Sequence, residues 1–164
     1  MRLNLAFVTL ALFAPTLALA GTATSNMSVS ATVSDSCTIS AGALAFGAYD
    51  TVAGSAVDGT ATLSVACTQG ASSTITLGQG ANADSGSTDA APLRRLANGT
   101  DMLSYALFQD SGRSTVWGNT GGTGAGYTAS SAAPTDVTVY GRIAASQSVP
   151  AASYSDTVVA TITF

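Results

Sequence analysis

Lysine, glutamate and histidine are missing altogether. The five cations are all Arg, the nine anions are all Asp, and charged residues make up only 9% of the 164-residue chain. Each absence removes a chemistry. Without His there is no Ser-His or Cys-His nucleophile, no His-ligated zinc and no imidazole proton shuttle. Without Lys there is no Schiff base and no phosphate-loop lysine. A net charge of −4 and a pI near 4.2 leave no basic face, so nucleic acid is not an expected partner. The composition permits a binding module, a structural protein or an enzyme working with Asp alone. No cofactor is expected.

Long apolar runs are also scarce, with one exception. Met1–Ala20 opens with Arg2, continues through a mostly apolar Leu3–Leu17, and ends in Ala18-Leu19-Ala20, the small-x-small pattern before a secretory cleavage site. The run is short for a membrane span, which takes ~20 residues, and Pro15 interrupts it. Residues 1–20 are therefore expected to be a signal peptide cut after Ala20, with an uncleaved anchor as the alternative. The mature chain, Gly21–Phe164, then has 144 residues, with four Arg against nine Asp and a net charge of −5. Export would place the two cysteines, Cys37 and Cys67, in an oxidising compartment, where an even pair reads as one disulfide. Closing a loop of that length would stabilise the fold by about 3.6 kcal/mol on chain-entropy grounds. Free buried thiols are the alternative, and a metal site would lack its third and fourth soft ligands.

Ala, Gly, Ser and Thr dominate the mature chain, a composition compatible with disorder. The apolar residues argue otherwise, because they alternate with period two. In Thr60–Cys67, residues Ala61, Leu63, Val65 and Cys67 share one face; Thr74–Leu77 and Asp136–Ile143 repeat the pattern. In Thr157–Phe164, residues Val158, Ala160, Ile162 and Phe164 share a face. Turn signals fall at Asp58-Gly59, Asn98-Gly99, Asp110-Ser111-Gly112 and Val149-Pro150. The glycine-rich stretch between Trp117 and Tyr127 reads as a mobile loop. No mature segment carries a capped apolar stripe of helical period. The expected fold class is all-β, an antiparallel β-sandwich, with a closed barrel as the other architecture. The start of the mature chain alternates as well: Ala23, Ser25, Met27, Val29, Ala31 and Val33 share a side with no turn residue between them. Such a strand could be the first of the domain or one meant for another molecule.

The aspartates are the sole acid–base candidates. Asp50, Asp58, Asp84, Asp89, Asp101 and Asp110 sit in apparent turns, where Asp side chains bond nearby amides, and a glycosidase pair facing across a cleft is not evident. Asp84–Asp89 lacks the spacing and bidentate Glu of a calcium loop. Asp110–Trp117 reads as a hairpin, Tyr105–Gln109 out and Ser114–Trp117 back, with Trp117 a packed lid rather than a sugar platform. Arg94-Arg95 is expected in a solvated turn. No enzyme is expected.

These residues together resemble the spore coat protein U domain family, which includes subunits of archaic chaperone–usher pili. The resemblance rests on the alternating N-terminal segment, Cys37-Thr38-Ile39, Leu44-Ala45-Phe46-Gly47, Leu63–Cys67, Gly141-Arg142-Ile143, and Tyr154-Ser155-Asp156-Thr157-Val158 followed by Phe164. It covers essentially the whole mature chain. It implies an incomplete immunoglobulin-like sandwich whose missing strand is donated, first by a periplasmic chaperone and then, at an outer-membrane usher, by the N-terminal extension of the next subunit. The organisation implied is residues 1–20 signal peptide, 21–36 donor-strand extension and 37–164 pilin domain. Met27, Val29, Ala31 and Val33 would be the donor plugs, and Val158, Ala160, Ile162 and Phe164 the strand lining the groove. The final strand would end at Phe164 with an unpaired edge.

The expected function is a subunit of a homo- or heteropolymeric pilus at the cell surface, serving adhesion and biofilm formation. Alternatives are a secreted coat or matrix protein with the same domain, and a carbohydrate-active protein using Asp and Trp117. A type IV pilin would need a long apolar helix in the mature chain, and a sortase-assembled pilin needs Lys.

Overall fold

A computed structural model describes residues 20–164, so the expected signal peptide, all but Ala20, lies outside the described residues. The chain divides into two units, the described part of the first being residues 20–32 and the second Val33–Phe164. In the second unit the period-two segments become strands: β1 Cys37–Ala41, β2 Val57–Cys67, β3 Ser72–Leu77, β4 Arg94–Asn98, β5 Asp101–Phe108, β6 Ala125–Thr128, β7 Thr135–Ile143 and β8 Ala160–Thr163. All pairings are antiparallel. The strands form two sheets, one in the order β1-β2-β7-β5-β4 and the other β6-β3-β8, so the fold is a sandwich and not a closed barrel.

Alternation places the core where the sequence puts its apolar side chains. Leu63 and Val65 of β2, Ile75 and Leu77 of β3, Leu103 and Leu107 of β5, and Val139 and Ile143 of β7 are all buried. Their removal from water is the main stabilising term, at about 1.5–3 kcal/mol for each large side chain. Cys37 and Cys67 are opposite each other in the β1–β2 register and form the expected disulfide, with Cys67 buried and Cys37 packed against the core. The bridge therefore fixes the edge strand β1 to its neighbour.

Several local expectations are overturned. Asp58-Gly59 is not a turn but lies inside β2, where Gly59 pairs with Gly141 of β7. The paired glycines leave a hollow on the inner face. A Cβ at Gly141 would lie 2.9 Å from the side chains of Leu44 and Phe46, which occupy that hollow from the β1–β2 connection. Phe46 then meets Tyr105 edge to face, with centroids 5.8 Å apart, so a tertiary fit overrides the local turn preference. Arg94 and Arg95 are not in a solvated turn but in β4, and Arg94 is 1% exposed. The glycine-rich stretch is not loose either. Thr123 and Gly124 both bond back to the carbonyl of Thr120, Gln109 Nε2 donates to the carbonyl of Thr123, and β6 starts at Ala125.

Other expectations hold. Asn98-Gly99 turns β4 into β5, with Gly99 at φ +59°. The hairpin after β5 returns through Val116, bridged to Phe108, and its turn is held by Asp110, whose carboxylate accepts the amides of Ser114 and Thr115. Trp117 is completely buried and donates Nε1–H to the carbonyl of Ile75 at 2.8 Å, tying this hairpin to the other sheet.

Gly141→Val should displace the Phe46 ring and lower stability by about 1–3 kcal/mol, as overpacking does, read as a lower urea midpoint. Combined with Phe46→Ala, its effect should be clearly less than additive, because both changes act on one hollow.

Candidate functional site

The two sheets differ in width, and one side of the sandwich stays open. β1 ends the five-stranded sheet and β8 ends the three-stranded sheet; the two strands are neighbours, yet no backbone pairing joins them among the described residues. Each presents an outer row of unpaired amides and carbonyls, the arrangement that accepts an added strand. A cleft of about 310 Å³ opens between the sheets at the Ala41 and Ala160 end of this seam. Its wall is apolar, with Leu44, Leu63, Leu77, Leu107, Val139 and Val158.

Within β8 and its approach, Val158, Ala160 and Ile162 are half-buried and pack against the core, while Val159, Thr161 and Thr163 face out. The expected face is therefore inward-facing at three of its four positions. Phe164, the fourth, lies beyond the strand and is 56% exposed.

One polar group on the cleft wall holds the approach to β8 in place. Asp156 Oδ2 accepts the Tyr105 hydroxyl at 2.7 Å, and Oδ1 accepts the amides of Ala81 and Asn82 and the Asn82 Nδ2 group at 2.9–3.2 Å. The carboxylate lies against Gly80, whose φ of +87° and lack of side chain permit the approach. Burial pushes the Tyr105 hydroxyl well above the usual phenol range, helped by its bond to Asp156. Asp156 thus joins the β3–β4 connection and β5 to the segment entering β8. Sequence reasoning quoted this residue in a motif without assigning it a role, since its partners lie 51 to 75 positions away.

Behind it sits Arg94. Its Nε donates to the Gly78 carbonyl at 2.8 Å, and Nη2 donates to the carbonyls of Leu77 and Trp117 at 2.8 and 2.9 Å. Nη1 is buried with no protein partner among the described residues. Burial pulls the guanidinium down to about 10, still charged at neutral pH. A side chain of the larger sheet thereby holds the end of β3 in the smaller one.

The N-terminal segment alternates as the sequence suggests but forms no strand. Residues 20–36 lie outside every strand, and Met27, Val29 and Val33 are 84%, 80% and 83% exposed, with Ala31 exposed too. Six of the nine aspartates are taken up structurally, Asp84, Asp110 and Asp156 among them. Asp50 accepts the amides of Val52 and Ala53, Asp58 pairs bidentately with Arg142, and Asp89 accepts the side-chain amides of Gln79 and Asn119.

Residues 23–161 match the Spore Coat Protein U domain. "Protein U" of Myxococcus xanthus is 47% identical over 156 residues, 88% of this chain and 87% of that protein. The fold is also that of a chain in the crystal structure of the CsuC–CsuE chaperone–tip adhesion subunit pre-assembly complex from the archaic chaperone–usher Csu pili of Acinetobacter baumannii. That likeness has a TM-score of 0.56 at 18% identity and covers 81% of this chain but only 40% of the other.

Two outcomes follow from this geometry. Replacing Arg94 by Met strands three carbonyls, the buried ones of Leu77 and Trp117 and the half-buried one of Gly78, each buried one costing about 1–3 kcal/mol, so the variant should unfold at a clearly lower urea concentration. Arg94→Lys should recover little, because one ammonium cannot span the same carbonyls. On the acid side, amides hold Asp50 (Ala53, then Val52) and Asp110 (Ser114, then Thr115) below the ordinary 3.8, Asn119 and Gln79 do so for Asp89, and Arg142 for Asp58. A carboxyl lowered on folding contributes stability above its unfolded value and loses it as pH falls through the folded one. Urea midpoints measured from pH 7 downward should hold to about pH 5 and drop below about pH 4.

Proposed function

The chain belongs to the Spore Coat Protein U domain family, and from that premise we propose that it is a structural subunit of a surface fibre assembled by the chaperone–usher route. One observation carries this reading: two neighbouring edge strands, β1 and β8, stand unpaired over an apolar cleft. A sandwich with a completed edge has no such vacancy. The shared fold with a chain of a chaperone–subunit complex gives the vacancy a natural first occupant, a strand lent by a periplasmic chaperone. The mature chain is exported after cleavage of residues 1–20, and residues 37–164 form the receiving domain.

The second occupant is the extension of the next subunit, residues 21–36. Met27, Val29, Ala31 and Val33 enter the groove lined by Val158, Ala160 and Ile162, and the backbone of the segment pairs with the two open edges. Burying a few hundred Å² of apolar surface at ~25 cal/mol per Å² contributes on the order of 5–10 kcal/mol, before backbone hydrogen bonds are counted. That scale suits a link that persists on dilution. Polymerisation takes place at an outer-membrane usher, and the resulting pilus serves adhesion and biofilm formation.

A second reading has its own support. The family's description and the 47% identity to Protein U fit a coat or matrix protein, in which the same groove joins copies without a pilus. Deleting the usher separates the two, since a pilus subunit would then stay in the periplasm and a coat protein would still reach the surface.

A chain truncated to begin at Ser34 should accumulate with its chaperone at normal levels and form no polymers, seen on gels of unboiled surface extracts. Normal polymers from the truncated chain would remove the donor role from the segment.

A further inference from the structure

We propose that Thr68 commits the N-terminal segment to a second copy, by holding residues 34–36 in a course that keeps the segment off its own domain. The proposal rests on the donor-strand reading and adds the residue that decides between self-completion and exchange.

The sequence itself invites self-completion. Ser34, Asp35 and Ser36 are all turn formers, and they stand directly between the alternating segment and β1. A hairpin with residues 33–36 as its loop would bring residues 28–32 back antiparallel to Cys37–Ala41. They would then pair with the open outer edge of β1, the edge that a strand from another copy needs. Such a fold-back requires no encounter between molecules, so it competes with exchange at every concentration.

The structure holds the chain otherwise. Residues 33–36 form no turn, and their backbone is fastened to one residue just past the end of β2. The Thr68 amide donates to the Ser36 carbonyl at 2.9 Å. Its hydroxyl accepts the Ser36 amide at 3.1 Å and donates to the Ser34 carbonyl at 3.3 Å. Backbone groups of residues two apart meet one neighbour in this way when the chain is extended. The backbone pairing stops at Ser36, and the hydroxyl carries the restraint on to Ser34, across the residues that a hairpin would have to bend.

The anchor is itself well held. The Ala71 amide closes a turn on the Thr68 carbonyl, Gly70 takes φ +86° within it, and the Gly70 amide bonds to the Ala129 carbonyl. On the other side, the Cys37–Cys67 disulfide joins the residues next to Ser36 and Thr68.

Full-length variants in the cells that make the protein test the assignment, with gels of unboiled extracts separating polymers from folded monomer. Thr68→Val keeps the shape and the backbone bond but loses both hydroxyl bonds. It should lower the polymer several-fold and release a compact, SDS-resistant monomer free of chaperone. Thr68→Ser keeps the hydroxyl and should keep most of the polymer. Adding Asp35→Thr to Thr68→Val should recover polymer, because a β-branched residue resists the turn without restoring the hydroxyl. Polymers from Thr68→Val at the level of the unaltered chain would overturn the proposal. So would their loss with no compact monomer, or with no recovery on adding Asp35→Thr, either of which makes Thr68 a structural residue only. These results leave the donor-strand reading standing, since the unaltered chain still polymerises. An unaltered chain that gives compact monomer and no polymers would overturn both.

Discussion

A five-stranded sheet packed on a three-stranded one leaves part of an inner face unroofed and two neighbouring edge strands, β1 and β8, each paired on one side only. The interior is organised around that shortfall. In a matched sandwich, interdigitating side chains of both sheets hold the layers together. Here long polar side chains share the task. Arg94 reaches from β4 to three carbonyls at the far end of β3 and the returning hairpin, and Trp117 crosses to Ile75. Asp156 braces the approach to β8 against β5 and the β3–β4 connection. A buried cation whose hydrogen bonds all go to carbonyls is a costly way to join two layers, even with the Asp156 carboxylate near enough to favour its charge. It is tolerable here because each carbonyl it meets would otherwise be short of a donor.

The same mismatch explains what could be read from the sequence. Period-two alternation depends only on a strand having one buried face, so β2, β3, β7 and β8 were legible without knowing their neighbours. The disulfide followed from cysteine number and expected compartment. What failed depended on partners distant in the chain. Asp58-Gly59 carries a local turn signal, and the reason it stays in a strand is Phe46 filling the hollow over Gly59 and Gly141. Arg94 has no local sign of burial, because its three acceptors come from residues 16 to 23 positions away and mostly from the other sheet. The open seam lay between these cases. Unpaired edges are not visible in a sequence, and only the family resemblance pointed to them.

Charge completes the picture. The four Arg among the described residues are all engaged: Arg95 with the Asn82 and Ala83 carbonyls and Asp84, Arg113 with the Gly141 carbonyl and Asp58, Arg142 with Asp58, and Arg94 in the core. Each ties a loop or strand to its neighbour, so the cations serve the fold rather than a partner. The proposed donor segment carries no charged side chain along residues 21–34. A link between copies made this way has almost no ionic component for salt to screen, and it gains little from electrostatic steering. Its strength comes from backbone pairing along two open edges and from many small apolar contacts. With no single large anchor to extract, the side chains of the proposed donor segment would leave and enter one after another, and one strand would replace another without the groove ever standing empty along its whole length.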